Sequence, residues 1–549
     1  MRTTHLIYAA LLLTSPLTAI AQKPAGDRVS GRVVNALDDH PLARATVTLT
    51  DIVSHRPTLT ATTNNEGRFN FDSVPAGKYR MTGDATGYVT SAYLAHEQLG
   101  TAIVTGAGLD TTALVLRLTP QSAISGRIID EAGEPVEHAN VILYRENPIA
   151  PTERIARYRF ANTTDNGQYD FSHLPPGKYF ISATGTPWYA VHSRSYNREA
   201  NFPYREAIDP SIDVAYPLIF FPHALDSDAA TPILLRGGEQ LTANMQLQPE
   251  HAVTLSIRTL SAENNNPRPI QLTQTVFGTD EPVPIQGMEN NNGVQNFPGL
   301  APGQYKLREN APGSRFPGSA RAVDLTTGSA SLDSSTPINL ATVSVTVHTA
   351  KGETLPAHMG LTLRSVDNNR NGSGSPLSDN GTADFANVPP GEYRFGLNGS
   401  MNGNSHPWNV VGLTVAGQQI PDKRLKLTAG GSVAVDLTIS AQTVNVEGFA
   451  HRQDKAAPGS LVILVPAGTD TSDTLFRRDQ TDLDGSFLFS NVVPGNYIVV
   501  AIDDNWSIHW TDTTALMPYL LHGLPVAIAA NGSATFHIPD PVAAQPRVP

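Results

Sequence analysis

From residue 29 onward, apolar side chains recur at alternate positions in short runs separated by polar, glycine- or proline-bearing turns. Val29-Ser30-Gly31-Arg32-Val33 is one such run. Ile124-Ser125-Gly126-Arg127-Ile128, Val253 to Ile257, Val343 to Val347 and Val444 to Phe449 read the same way. Residues two apart on a strand share a face, so this period predicts half-buried strands. Further strands follow at Leu114-Val115-Leu116, Met245-Gln246-Leu247, Val433 to Ile439 and Ala534 to Ile538. Long helical periodicity is absent beyond the first 21 residues. The predicted fold class is all-β, built from β-sandwiches.

A second pattern repeats five times. An apolar residue and a proline lead into Gly-x-Tyr at Gly77 and Tyr79, Gly177 and Tyr179, Gly303 and Tyr305, Gly391 and Tyr393, and Gly495 and Tyr497. The glycines lie 100, 126, 88 and 104 positions apart. That period is too long for a solenoid and predicts a tandem row of whole domains. The predicted units are 22–119, 120–249, 250–341, 342–441 and 442–540, with a tail at 541–549. Proline cannot donate to a sheet ladder, so each copy marks a change of sheet. The tyrosine then packs inward with its hydroxyl on a loop carbonyl, as in a tyrosine corner. Upstream lies a glycine turn followed by alternating aromatics: Gly67-Arg68-Phe69-Asn70-Phe71, Gly167 to Phe171 and Gly485 to Phe489, with weaker versions before Phe385 and Phe297. This turn is expected to close a tight hairpin. Unit two also carries an aromatic-rich insertion at 188–248, expected either to be functional or to fold over its neighbour.

With Ser30-Gly31-Arg32-Val33, Ala45-Thr46-Val47-Thr48-Leu49, Gly67-Arg68-Phe69 and Val74-Pro75-Ala76-Gly77-Lys78-Tyr79, the first unit resembles the carboxypeptidase regulatory-like domain family. Unit two repeats the blocks at Ser125 to Ile128, Ala139 to Leu143 and Asp165 to Phe171; unit five matches moderately, units three and four in part. The resemblance implies a transthyretin-like or carbohydrate-binding-like, Ig-like sandwich, itself non-catalytic, in a secreted bacterial array.

Composition narrows the chemistry. The chain of 549 residues has 38 Lys plus Arg against 50 Asp plus Glu, a formal net charge of −12, and no cysteine. A net negative surface gives no general attraction for nucleic acid. Without cysteine there are no disulfides, thiolate metal sites or cysteine nucleophiles. Arg2, the apolar run Leu6 to Leu13 and Ala19-Ile20-Ala21 read as a signal peptide over 1–21. No other stretch is long and apolar enough to span a membrane, so the mature chain is expected to be secreted, periplasmic or on the outer cell surface.

No nucleophile elbow, zinc helix, Walker loop or dinucleotide fingerprint occurs. Asp479 to Gly485 brings carboxylates before a glycine, but Gln480 and Asn491 stand where a calcium loop needs charged ligands, so turn chemistry accounts for it. No enzyme activity, cofactor or metal is expected.

The candidate ligand contacts are aromatic. Trp188 lies eleven residues past Gly177 and Trp506 eleven past Gly495, while the same offset from Gly77 reaches Tyr88. Such a ring either plugs the end of a sandwich or offers a flat face to a pyranose. Trp188, Tyr189, Trp506, Trp510 and Tyr519 are the candidates for a sugar platform. The first expectation is a non-catalytic array that holds a polysaccharide or a cell-surface protein. The alternative is a spacer or interaction stalk with no small ligand; a hydrolase with an unrecognised site ranks last.

Overall fold

The computed structural model describes residues 26–548, apart from residues 55, 148–153, 193–208, 260–269, 284, 286–288, 292–293, 310–315, 317–319, 335–338, 351–352, 356–358, 367–371, 399–407, 469–471 and 530–533. The expected leader at 1–21 and the aromatics Tyr196, Phe202 and Tyr204 lie outside the described residues.

Unit one sets the pattern with β1 (Asp27–Asn35), β2 (Thr46–Asp51), β3 (Leu59–Thr62), β4 (Arg68–Val74), β5 (Gly77–Asp84), β6 (Ser91–Ala92), β7 (Ile103–Thr105) and β8 (Leu114–Leu118). One sheet has the order β4-β1-β8, and the other β3-β2-β5, with β6 and β7 both pairing with β5. β1 runs antiparallel to β4 and parallel to β8. In each of the other four units the first strand again pairs in parallel with a strand near the unit's end. The core lies between the two sheets: Val29, Val33, Leu49, Phe69, Met81 and Leu116 are fully or nearly fully buried. The alternation read from sequence is this inside–outside pattern.

The proline–glycine–tyrosine segment carries the chain from one sheet to the other in every unit, as between β4 and β5. All five tyrosines are buried. Each hydroxyl donates to the carbonyl four residues back: Tyr79 to Pro75 at 3.0 Å, Tyr179 to Pro175 at 2.7 Å, Tyr305 to Ala301 at 2.5 Å, Tyr393 to Pro389 at 2.8 Å and Tyr497 to Val493 at 2.7 Å. The intervening glycine lets the ring fold back over the chain; a Cβ at Gly77 would already touch the Tyr79 ring at 3.4 Å. Each such bond contributes on the order of 1 kcal/mol.

Three features of the corner were not legible in sequence. The residue before the apolar position is left-handed in all five copies (Ser73, His173, Gly299, Asn387 and Asn491), and the ladder slips there in a bulge. The glycine turn upstream is not a hairpin in units one, two, four and five. It is an arch, because β3 pairs with β2 while β4 pairs with β1 in the opposite sheet, and the same holds in the other three. A turn between sheets needs the same φ > 0 residue as a hairpin turn, and for that reason the sequence pattern misleads. Finally, a buried threonine braces that arch: Thr63 Oγ1 accepts from Ala45 N and donates to the Leu42 carbonyl, and Thr163 and Thr481 do the same in units two and five.

Two sequence boundaries move. The segment 541–549 is not a free tail, since Val542–Gln545 pairs with both Val444–Arg452 and Gly495–Ile502 and joins the sheets of unit five. Much of the insertion 188–248 is unit two's own edge. Ile219–Phe220 and Ile233–Leu235 pair with Gly177–Thr184, and Gln240–Thr242 and Met245–Gln246 pair with Ser122–Ile129. A short α-helix, α1 (Thr513–Leu520), interrupts the all-β pattern in unit five; the Asp512 carboxylate accepts from Thr514 N at its start.

The units do not simply follow one another. Unit one packs against unit two, where Gln121 Nε2 donates to the Tyr88 carbonyl. The Phe277 ring at the tip of a unit-three turn sits among Tyr144, Phe180 and Phe220 of unit two, with centroids 4.8–5.6 Å away. Phe316 is buried in the core of unit four, and Arg394 pairs with Asp473 across units four and five at 2.8 Å. Unit five then returns to unit one, so the first and last units touch.

Candidate functional site

The return contact consumes most of the chemistry that the sequence offered in unit five. Lys78 Nζ reaches Asp482 Oδ2 at 2.8 Å and Ser486 Oγ at 2.7 Å. Asp482 Oδ1 accepts from Ala102 N, Leu483 N donates to the Ala102 carbonyl, and the Leu483 side chain joins the core of unit one. Gln480 Nε2 donates to Thr101 Oγ1 and to the Leu94 carbonyl. The Asp479–Gly485 turn is therefore a clasp between units. Burial pushes the Asp479 carboxyl up to about 6 despite two backbone N–H bonds, from Leu488 and Gln480. Burial likewise holds Asp482 above the ordinary aspartate value against the pull of Lys78.

Trp506 stacks flat on His96 of unit one, with ring centroids 4.1 Å apart and planes within 8°. Burial lowers the His96 pKa in spite of the Gln480 hydrogen bond and the Asp504 charge. Trp510 lies under the Arg478 guanidinium at 5.1 Å. Tyr519 is only 2% exposed, and its hydroxyl accepts from Asn505 Nδ2 and Val548 N. A buried Tyr519 offers no face to a sugar, and His96 covers one face of Trp506. In unit one, Tyr88 is half-buried against the core.

Trp188 differs. It is 86% exposed, although Pro187 before it is buried. Tyr189 meets it edge-on at 5.7 Å and anchors it, because the Tyr189 and Tyr216 hydroxyls donate to the two oxygens of Glu131. Burial alone would raise the Glu131 carboxyl, but these bonds and one from its own backbone N–H outweigh it and hold the group below the ordinary glutamate value. Burial and the Glu131 contact push the Tyr189 phenol up to about 12. Ala190 N donates to the Pro187 carbonyl, Val191 N to the Ile212 carbonyl, and His192 Nδ1 lies 2.9 Å from Asp213 Oδ1. The exposed indole thus stands on a fixed loop.

Gly185, Thr186, Pro187 and His192 of that loop also line a cleft of about 540 Å³ between units two and three. Its walls are mixed: Tyr216, Ile142 and Leu218 are apolar or aromatic, whereas Asn140, Gln274 and the Arg157–Glu281 pair (3.0 Å) are polar. Gly299 makes the closure of this cleft feasible, since a Cβ there would meet the His192 ring at 2.6 Å. Sequence reasoning singled out Trp188 and Tyr189 as candidates but not the cleft, because its second wall comes from unit three. Among the described residues, no three His, Cys, Asp or Glu side chains come together as a metal site would need.

Comparison with known families gives two matches to the carboxypeptidase regulatory-like domain, at residues 28–118 and 123–202. A third match, at 445–517, is to the second β-sandwich domain of the BOS complex subunit NOMO1-like family. No curated protein matches the chain. Among solved structures, the Bacillus anthracis TIE protein is similar at 13% identity over 77% of this chain and 76% of its own, with a TM-score of 0.19. A streptococcal ancillary pilin aligns at 13% identity over 56% and 99%, with a TM-score of 0.20. A Bacteroides uniformis protein described as a putative carbohydrate binding protein aligns at 10% identity over 29% and 87%, with a TM-score of 0.14. Scores that low carry no argument about function.

Proposed function

We propose that this chain, whose first two units are carboxypeptidase regulatory-like domains, is a non-catalytic binding protein of the cell exterior that holds a polysaccharide at the unit-two loop and the adjoining cleft. The observation that carries this reading is Trp188: a large aromatic face left 86% exposed on a loop tied down by Glu131 and by backbone bonds. An ordered flat ring loses little entropy on binding, and its face matches the apolar side of a pyranose. The neighbouring cleft lies within the usual volume range of small-ligand sites and supplies both apolar wall and hydrogen-bonding groups.

The return of unit five onto unit one speaks against the alternative of an extended stalk, since a spacer works by keeping its ends apart. The test is retention of the full chain and of Trp188→Ala on a panel of neutral plant and bacterial polysaccharides. The reading requires retention by at least one polymer and its loss in the variant. Equal retention of both proteins would remove Trp188 from any binding role.

A further inference from the structure

The outer face of the β4-β1-β8 sheet in unit one carries four arginines, and they are not equivalent. Arg28 pairs with Asp72 at 3.8 Å and donates to Asn70 Oδ1; Arg117 pairs with Asp39. Arg32 and Arg68 stand directly opposite each other in the antiparallel register. Both are exposed, and neither has a carboxylate partner among the described residues. Like charges directly opposite on a sheet face destabilise it. The chain has acids to spare, 50 against 38 bases, so the unpaired couple does not reflect a shortage of partners. Three acids of this unit are engaged elsewhere: Asp72 with Arg28, Asp39 with Arg117, and Asp110 with the Thr112 N–H and hydroxyl.

The other units do not oppose two arginines at the corresponding position. Unit two keeps the first arginine, Arg127, but opposes it with Gln168 and spends its Nε on the Asn166 carbonyl at 3.0 Å. The corresponding pairs are Arg258 and Val294 in unit three, Thr346 and Thr382 in unit four, and Phe449 and Ser486 in unit five. At this register position two arginines lie opposite each other in unit one alone, and there they line a groove of about 570 Å³ together with Ser30, Asn64, Asn70 and Thr112. In the other sheet of unit four, Arg394 lies opposite both Arg364 and Arg424, but it pairs with Asp473.

We propose that Arg32 and Arg68 form an oxyanion-binding site in that groove for an acidic polysaccharide, each guanidinium taking a carboxylate or sulfate group by paired N–H bonds. A guanidinium presents a planar fork that fits either group, and the surrounding amide and hydroxyl groups suit sugar hydroxyls. Anionic groups held at the two arginines offset the repulsion between the opposed guanidinium charges. This adds a charged contact in unit one to the neutral-sugar reading above and stands on unit one alone.

The experiment is affinity electrophoresis of the full chain in gels containing polygalacturonate, dextran sulfate or neutral dextran, comparing wild type, Arg32→Gln/Arg68→Gln and Trp188→Ala. Retardation by an acidic polymer is expected to weaken with added salt and to fall roughly fivefold or more in the double arginine variant. Retardation by polygalacturonate alone assigns the anion as uronate, and by dextran sulfate alone as sulfate. Thermal unfolding serves as the fold control, and the double variant is expected to melt no lower than wild type, because it loses a repulsion. Acidic-polymer retardation that is absent in wild type, or unchanged in the double variant, overturns the proposal. So does binding confined to vesicles containing phosphatidylglycerol. Loss of neutral-polymer binding in Trp188→Ala reads out the unit-two site separately, so either can fail without the other.

Discussion

Trp188 and Trp506 occupy the same offset from the corner glycine in units two and five, yet one is exposed and the other is stacked on a histidine from the far end of the chain. The local chain does not make this difference. What lies opposite does: unit five meets unit one there, whereas the Trp188 loop of unit two borders a cleft shared with unit three. A repeated residue in a tandem protein is therefore a repeated opportunity, and the neighbouring unit decides whether it becomes interface or platform.

The largest separation between the two sites should come from removing the rings. Trp506→Ala is expected to weaken the clasp by about 2 kcal/mol, less than the ~3–5 of a fully buried ring because Trp506 is half-buried. Hydrogen exchange at the Leu483 amide, which crosses the interface to the Ala102 carbonyl, would report it as faster opening. Trp188→Ala should leave that amide unchanged. If both variants opened it equally, the contrast between platform and clasp would disappear.

The corner offers the opposite contrast, between places that ought to behave alike. Tyr179→Phe and Tyr497→Phe each remove one buried hydroxyl bond and should each cost about 1 kcal/mol in denaturant unfolding. A large inequality would mean that the corner carries different loads in the two units.

The clasp should also respond to pH. The Asp479 carboxyl is raised from 3.8 to about 6 chiefly by burial, so the folded state disfavours its charge. Its contribution is fully present below the unfolded pKa and is lost as pH rises through about 6. Asp479→Asn should accordingly gain stability relative to wild type as pH is raised from about 4 to 7, measured as the difference between their unfolding curves. A difference independent of pH would show that the carboxyl is not buried as charge.

The smallest effect is expected at Glu131, which touches no ligand in this reading. Glu131→Ala frees Tyr189 and should weaken polysaccharide retention roughly threefold through the extra cost of ordering the loop. An effect as large as that of Trp188→Ala would instead place Glu131 in the binding contact.

The parts of the fold that sequence conveyed clearly are those fixed by short-range chemistry. Gly31, Gly126 and Gly448 show why units one, two and five were easier to read than unit four. Each glycine lies directly opposite the first aromatic of the β4 counterpart, at Phe69, Tyr169 and Phe487. A Cβ on the glycine would come within 3.0 Å of that ring in every case. Unit four fills the same space the other way round, with Val345 opposite Ala383. Unit three uses Ile257 opposite Gln295. The core volume is kept while the motif disappears, so a pattern search loses those units although packing does not.

Strand alternation, the five-fold repeat and the tyrosine corner follow from the chain alone because each depends on residues within about a strand's length of one another. Which turn is an arch, where unit five ends, and which of two equivalent tryptophans is exposed depend on surfaces brought together from positions as far apart as residues 96 and 506. Sequence periodicity says which way a side chain faces within its own unit. What covers that face is a property of three-dimensional packing, and in this protein it separates a clasp from a candidate binding site.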